Sequence, residues 1–185
     1  MYSIKKATEE FKGIYKQGVR KDFDLGELNY NSIVIEGCKS EYDYFINELN
    51  PQDEIHISIP FNLRLIKDRD NEVFKKGWDG LELLNNYWFF GNQNDNFLLL
   101  DIQNDSVHSI NSGESEIIYQ SASFADFIKL ITEIMVCTNK YLEKHYEDDD
   151  FLVFDDELYM NEVNKLIDNT ELEIIRDNFK YFFIE

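Results

Sequence analysis

Apolar positions recur at helical spacing at the start of the chain. Ile4, Ala7, Phe11, Ile14 and Tyr15 share one face, with Lys5, Lys6, Lys12 and Lys16 around them. This predicts an opening helix over 3–17. "NSIVIEG" (31–37) reads as a strand ending at Gly37. "KSEYDYFINELN" (39–50) reads as a short helix with Ser40 as N-cap and Asn50-Pro51 as its stop. From residue 54 the period changes to two. Ile55, Ile57 and Ile59 alternate with Glu54, His56 and Ser58, the pattern of a half-buried strand. Pro60 breaks it, and a second strand passes through Leu63 and Leu65. Residues 71–80, "NEVFKKGWDG", read as a short helical turn and a loop.

The next stretch alternates β-formers with turn-formers. "NYWFFGN" is one strand, "NQND" a turn, "FLLLDI" a second strand, "QNDS" a turn, "SVHSI" a third strand, and "NSGES" a turn before "EIIYQ". Asn and Asp suit these turns because they tolerate left-handed backbone angles and bond their own backbone. "FLLLDI" has an unbroken apolar run, as expected of a central strand covered on both faces. An antiparallel sheet at the centre of the core follows. "SASFADFIKLITEIMVCTNKYLEKHY" (121–146) then predicts a long helix that begins with the signal Ser123-x-x-Asp126. Phe124, Phe127, Ile128, Ile131, Ile134, Met135, Tyr141 and Leu142 line its apolar face. Beyond an acidic interruption, the last thirty residues or so predict one or two further helices.

Composition narrows the class. The 185 residues suit one domain with a real core, and 15 Phe and 11 Tyr argue for folded structure despite the charge. That charge is a formal −19, from 37 acids against 18 bases. Such a chain repels nucleic acid and anionic membranes and attracts a basic partner, although acidity alone also serves solubility. Cys38 and Cys137 form no CxxC or Cys/His cluster, so neither a zinc site nor a disulfide framework is expected; Cys137 reads as a small core residue. No apolar run has the length of a signal-peptide core or a membrane span, and a cytoplasmic setting is the expectation.

Candidate chemistry is sparse. His56, His108 and His145 are dispersed, and the first two fall on the polar phase of strands, which reads as surface or structural. No nucleophile elbow, HExxH, P-loop or dinucleotide-binding fingerprint is present, so no catalytic residue, metal or cofactor is expected. The loop "DRDNEVFKKGWD" (68–79) places Asp68, Asp70, Glu72 and Asp79 at calcium-loop positions, but Val73 stands where that loop needs glycine. Pairs of carboxylates, as a hydrolase would use, arise by chance in a chain this acidic.

The acidic cluster points elsewhere. Glu147, Asp148, Asp149, Asp150, Asp155, Asp156 and Glu157 flank Phe151-Leu152-Val153-Phe154, and residues 141–185 carry a net −10. Acids beside aromatics suit a basic protein partner, with charge steering the encounter and Phe151 anchoring it. Against this stands a solvated loop whose apolar residues tuck into the core, with Asp155, Asp156 and Glu157 favouring a helix N-terminus. Trp88 reads as core, whereas Trp78, between two glycines, reads as a partly exposed contact.

The block from Tyr87 to Ile110, followed by "SASFADFIKLI", resembles the SUKH superfamily of bacterial immunity proteins and related eukaryotic regulators. The positions that carry the resemblance are Gly91, the "NQND" turn, Asp101, Val107 and Ser123-Phe124-x-x-Phe127-Ile128. It covers about 45 residues at matching spacing, and the first turn reads Asn-Asp-Asn where members usually carry Gly-Gly or Gly-Asp. The resemblance implies an α+β domain with a central antiparallel or mixed β-sheet flanked by helices. Residues 1–80 would be a divergent N-terminal part and 147–185 an acidic helical C-terminal extension of one domain, 1–185. It further implies a non-catalytic immunity protein that neutralises a toxin, often a nuclease, in the cytoplasm; the acidity points to a basic toxin as partner and away from nucleic acid and membrane, and a monomer or weak homo-oligomer is expected. The rival expectations are a regulatory or scaffold protein with an endogenous partner, and a carboxylate-dependent hydrolase.

Overall fold

The computed structural model describes residues 3–17, 40–51, 54–57, 62–67, 86–94, 96–111, 117–145 and 156–168. Helices α1 (Ile4–Gln17) and α2 (Glu41–Leu49) precede six strands, and helices α3 (Phe124–His145) and α4 (Asp156–Asp168) follow them. The strands are β1 (Glu54–Ile57), β2 (Leu63–Ile66), β3 (Tyr87–Gln93), β4 (Asn96–Asp101), β5 (Val107–Asn111) and β6 (Ile117–Gln120). They form a single sheet in sequence order, with every neighbouring pair antiparallel. The architecture is therefore α+β, as expected, and the sheet is a meander. The expected strand over 31–37 and the helical turn over 71–80 lie outside the described residues.

Local signals fix the helix ends. Ser40 stands in extended backbone as the N-cap of α2 and accepts the Asp43 N–H at 3.1 Å. Asn50 closes the helix in a left-handed conformation (φ 43°), its N–H reaching the Ile46 carbonyl at 2.7 Å. Ser123 caps α3 in both directions: its Oγ accepts the Asp126 N–H at 3.1 Å and donates to Asp126 Oδ2 at 2.9 Å. Helix α3 has 22 residues, about 33 Å at the usual rise, and crosses the core.

The sheet is apolar on both faces. Ile55, Ile57, Leu63, Leu65, Phe90, Leu98, Leu100 and Val107 share the main core with α1, α2, α3 and α4. Phe89, Phe97, Leu99 and Ile110 form a second buried cluster, with Ile66 and Tyr87 packed against it. All four of Phe97, Leu98, Leu99 and Leu100 are buried, so β4 is the doubly covered central strand its apolar run predicts. Trp88 is half-buried against the main core.

Aromatic rings join the layers. Phe11 of α1 meets Phe45 of α2 edge-on at 5.1 Å, and Phe45 meets Phe124 of α3 at 5.5 Å. Tyr42 and Phe90 lie 5.3 Å apart, and Phe90 contacts both Phe124 and Phe127. The Tyr42 hydroxyl donates to the Ile66 carbonyl, tying α2 to the end of β2. Such edge-on ring pairs add about 0.5–1.5 kcal/mol each beyond area burial.

Two details depart from the sequence expectation. Gln93 and Asn96 pair across the β3–β4 hairpin, so strand reaches into "NQND" and the turn shortens around Asn94, which takes φ 48°. Asn62, also left-handed at φ 45°, donates from Nδ2 to Asn94 Oδ1 at 3.3 Å and receives the Asn94 N–H on its carbonyl. Facing asparagines thus lock two turns together. The second departure is His108: alternation placed it on the polar phase, but it is buried, because β5 is covered on both faces like β4.

Candidate interaction surface

The residues singled out by the resemblance occupy structural positions. Gly91 follows the β-bulge of β3 and pairs with Leu65 on one side and Leu98 on the other. A Cβ at residue 91 would sit 2.2 Å from the Arg64 carbonyl oxygen, so the close approach of β2 requires glycine. Asp101 ends β4, and its Oδ1 accepts the Gln103 N–H at 2.9 Å to form the Asx turn into β5. Val107 is buried; its carbonyl accepts the Ser121 N–H at 2.8 Å, and its own N–H donates to Ser121 Oγ, which in turn donates to the Ser123 carbonyl. Phe124 and Phe127 are fully buried. Through their hydrogen bonds Val107 and Ser121 tie β5 to the cap residue of α3, Ser123.

Of the residues expected to bind a partner, Glu147, Asp148, Asp149, Asp150, Phe151, Asp155 and Trp78 lie outside the described residues. Asp156 is the first residue of α4 and Glu157 is exposed beside it. Acids at this end complement the helix dipole. The orientation of α4 follows from its apolar phase: Tyr159 and Val163 are buried in the main core, and the Tyr159 hydroxyl shares a 2.8 Å hydrogen bond with Thr138 Oγ1 of α3. Burial pushes the Tyr159 phenol far up, so it stays protonated. Tyr141 packs edge-on against Tyr159 at 5.4 Å, and Lys144 pairs with Glu162 at 3.4 Å. What remains outward is Glu157, Leu158, Asn161, Lys165 and Asp168. Leu158 is 36% exposed, one of two large apolar side chains so exposed among the described residues.

The other is Ile102, 43% exposed in the β4–β5 turn. Five hydrogen bonds build this turn. Asp101 Oδ1 holds Gln103 N–H, Asn104 Oδ1 holds Ser106 N–H, and the Asp105 N–H returns to the Asp101 carbonyl. Asp101 N–H meets the Ser106 carbonyl, and Ile102 N–H meets that of Asn86. Glu41, half-buried at the start of α2, accepts the Ala125 N–H of α3 at 2.8 Å. Burial raises its carboxyl pKa; the Ala125 bond opposes the shift, and Asp105 and Asp126 add to it. Sequence patterning missed this contact. Glu41 follows the Ser40 cap and reads as an ordinary first-turn acid, while its partner lies 84 residues away.

Ser106 Oγ and His108 Nε2 are 2.7 Å apart, but both residues are buried and His108 Nδ1 has no hydrogen-bond partner, so no carboxylate orients the ring as in a nucleophile–base–acid chain. Among the described residues, no three His, Cys, Asp or Glu side chains come together as metal ligands would. Nor, among them, is any helix long and apolar enough to cross a membrane. Cys137 is half-buried at the core margin, and burial pushes its thiol up, away from the reactive thiolate. No protein-family model, curated protein or solved structure matches the chain.

Proposed function

We propose that the chain is a non-catalytic binding protein of the SUKH type, which neutralises a basic, nuclease-type toxin domain in the cytoplasm by covering its nucleic-acid-binding surface. The observation that carries this reading is the distribution of charge. The chain has a net charge of −19, and residues 141–185 account for −10 of it. The exposed Glu157 continues this charge onto the first turn of α4, where exposed Leu158 offers an apolar contact. Carboxylates at that density raise the encounter rate with a cationic surface and reject anionic ones, while apolar contacts slow dissociation. The motif positions support the same reading: Gly91, Asp101, Val107 and Ser123 each sit where a strand, turn or helix start depends on them.

Reversal of Asp148, Asp149 and Asp150 to lysine tests the role of the acids. Association with a basic, nuclease-type toxin domain that the chain neutralises is expected to slow by about tenfold or more at low salt, with a flatter salt dependence. An unchanged association rate would remove residues 148–150 from the interface. Capture of a partner already present in unchallenged cells would instead make the chain a regulatory or scaffold protein.

A further inference from the structure

Polar groups collect at one end of the second apolar face of the sheet, around an imidazole that is 4% exposed. His108 lies opposite Leu99 on β4 and Gln120 on β6. Its Nε2 is 2.7 Å from Ser106 Oγ, the Tyr87 ring stands edge-on at 4.9 Å, and Nδ1 has no hydrogen-bond partner. Asp101 follows Leu99 by two residues and therefore stands on the same face, diagonal to His108. It is also the carboxylate whose charge acts on the ring. Among the described residues, the titratable groups facing the imidazole are Tyr87 from β3 and Asp101 from β4, and Gln120 on β6 is an uncharged amide.

In the neutral ring one nitrogen remains unsatisfied whichever tautomer is present. The protonated ring donates from both nitrogens. Nε2–H then keeps Ser106 Oγ, and Nδ1–H requires an acceptor in a buried setting where an unpaired donor is costly. Asp101 is the carboxylate on the same face. Its Oδ1 now holds Gln103 N–H at 2.9 Å, the bond that closes the turn presenting Ile102.

We propose that protonation of His108 draws the Asp101 carboxylate onto Nδ1 and releases Gln103, so that the exposed β4–β5 turn rearranges on acidification. The device rests on the sheet alone and is independent of the toxin-binding reading. It is read by NMR on the labelled full chain, titrated from about pH 8 down to the onset of acid unfolding, because burial pushes this imidazole below the ordinary histidine range. The His108 ring and the Gln103 and Ser106 amides are expected to shift with one midpoint. Across it, hydrogen-exchange protection of Gln103, corrected for the intrinsic rate, should fall about tenfold, as when one charge-assisted bond is lost. Asp101→Asn keeps an acceptor for Gln103 but cannot pair with an imidazolium. In that variant Gln103 is expected to become insensitive to pH while the His108 midpoint moves lower. The proposal is overturned if His108 titrates while the Gln103 amide stays fixed, or if Asp101→Asn leaves the coupled shift intact. It is equally overturned if the ring remains neutral down to the pH at which the chain unfolds.

Discussion

Gly91→Ala probes the tightest backbone contact in the sheet. The added Cβ would lie 2.2 Å from Arg64 O, 3.2 Å from Arg64 C and 3.3 Å from Leu65 Cα. Ordinary carbon–oxygen contact needs roughly 1 Å more than the first of these distances. The obstacle is backbone, so no side-chain rotation relieves it; β2 must move away from β3. That movement strains the pairing of Leu63, Arg64 and Leu65 with Gln93, Asn92 and Gly91, and it loosens Leu63 and Leu65, both fully buried. Overpacking of this kind costs about 1–3 kcal/mol, and each backbone bond lost adds about 1 kcal/mol. A destabilisation of about 2–4 kcal/mol follows, or a fall in Tm of roughly 5–15 °C for a chain of this length. Urea and thermal unfolding followed by circular dichroism measure it. Gly13→Ala in α1 is the matched control: nothing lies within 4 Å of its added Cβ, and alanine in a helix interior is expected to stabilise by about 0.5–1 kcal/mol. Two variants of identical chemistry should therefore move in opposite directions. If Gly91→Ala unfolds within about 0.5 kcal/mol of the parent, the close approach of β2 to β3 is wrong.

Ser123→Ala removes the cap of α3 and strands the Asp126 carboxylate that its hydroxyl supports; a loss of about 1–2 kcal/mol is expected in urea unfolding, and no loss would contradict the cap. Glu41→Gln keeps an acceptor for Ala125 N–H and removes a charge whose folded-state pKa is raised. A raised carboxyl pKa favours the fold at low pH and weighs against it once ionised. The variant should therefore gain stability over the parent near neutral pH, with the gap closing as pH falls into the carboxylate range. Burial pushes the His108 imidazole down, with Asp101 opposing the shift. The unfolded chain then takes up a proton near the ordinary value of about 6.5 while the fold resists it. Stability should be undiminished above that pH and fall as pH drops toward the lower folded value; His108→Gln should flatten this slope in unfolding curves taken across the range.

Periodicity made the main elements legible. The 4, 7, 11, 14, 15 spacing of α1, the Ser40 and Ser123 caps and the apolar run of β4 each follow from local rules, and the structure places them as those rules require. Burial of His108 did not follow from alternation. A polar residue in a strand signals solvent only where one face is wet, and β5 is covered on both. Glu41 was illegible because its acceptor role depends on α2 meeting the start of α3, a tertiary contact that no local spacing encodes. The role of Gly91 could be read only in part. A glycine within an aromatic strand marks a bulge or a close approach, but which strand comes close depends on sheet order. The acids of 147–155 and Trp78, which were the clearest partner signals in the sequence, lie outside the described residues.

The central reading is tested most directly by co-expressing the chain with each basic, nuclease-type toxin domain that neighbouring genes are found to encode, then purifying the two proteins together. Survival of the cells with recovery of a stable complex is the expected result. Continued toxicity with no complex, while the chain itself is folded and soluble in the same cells, would contradict it.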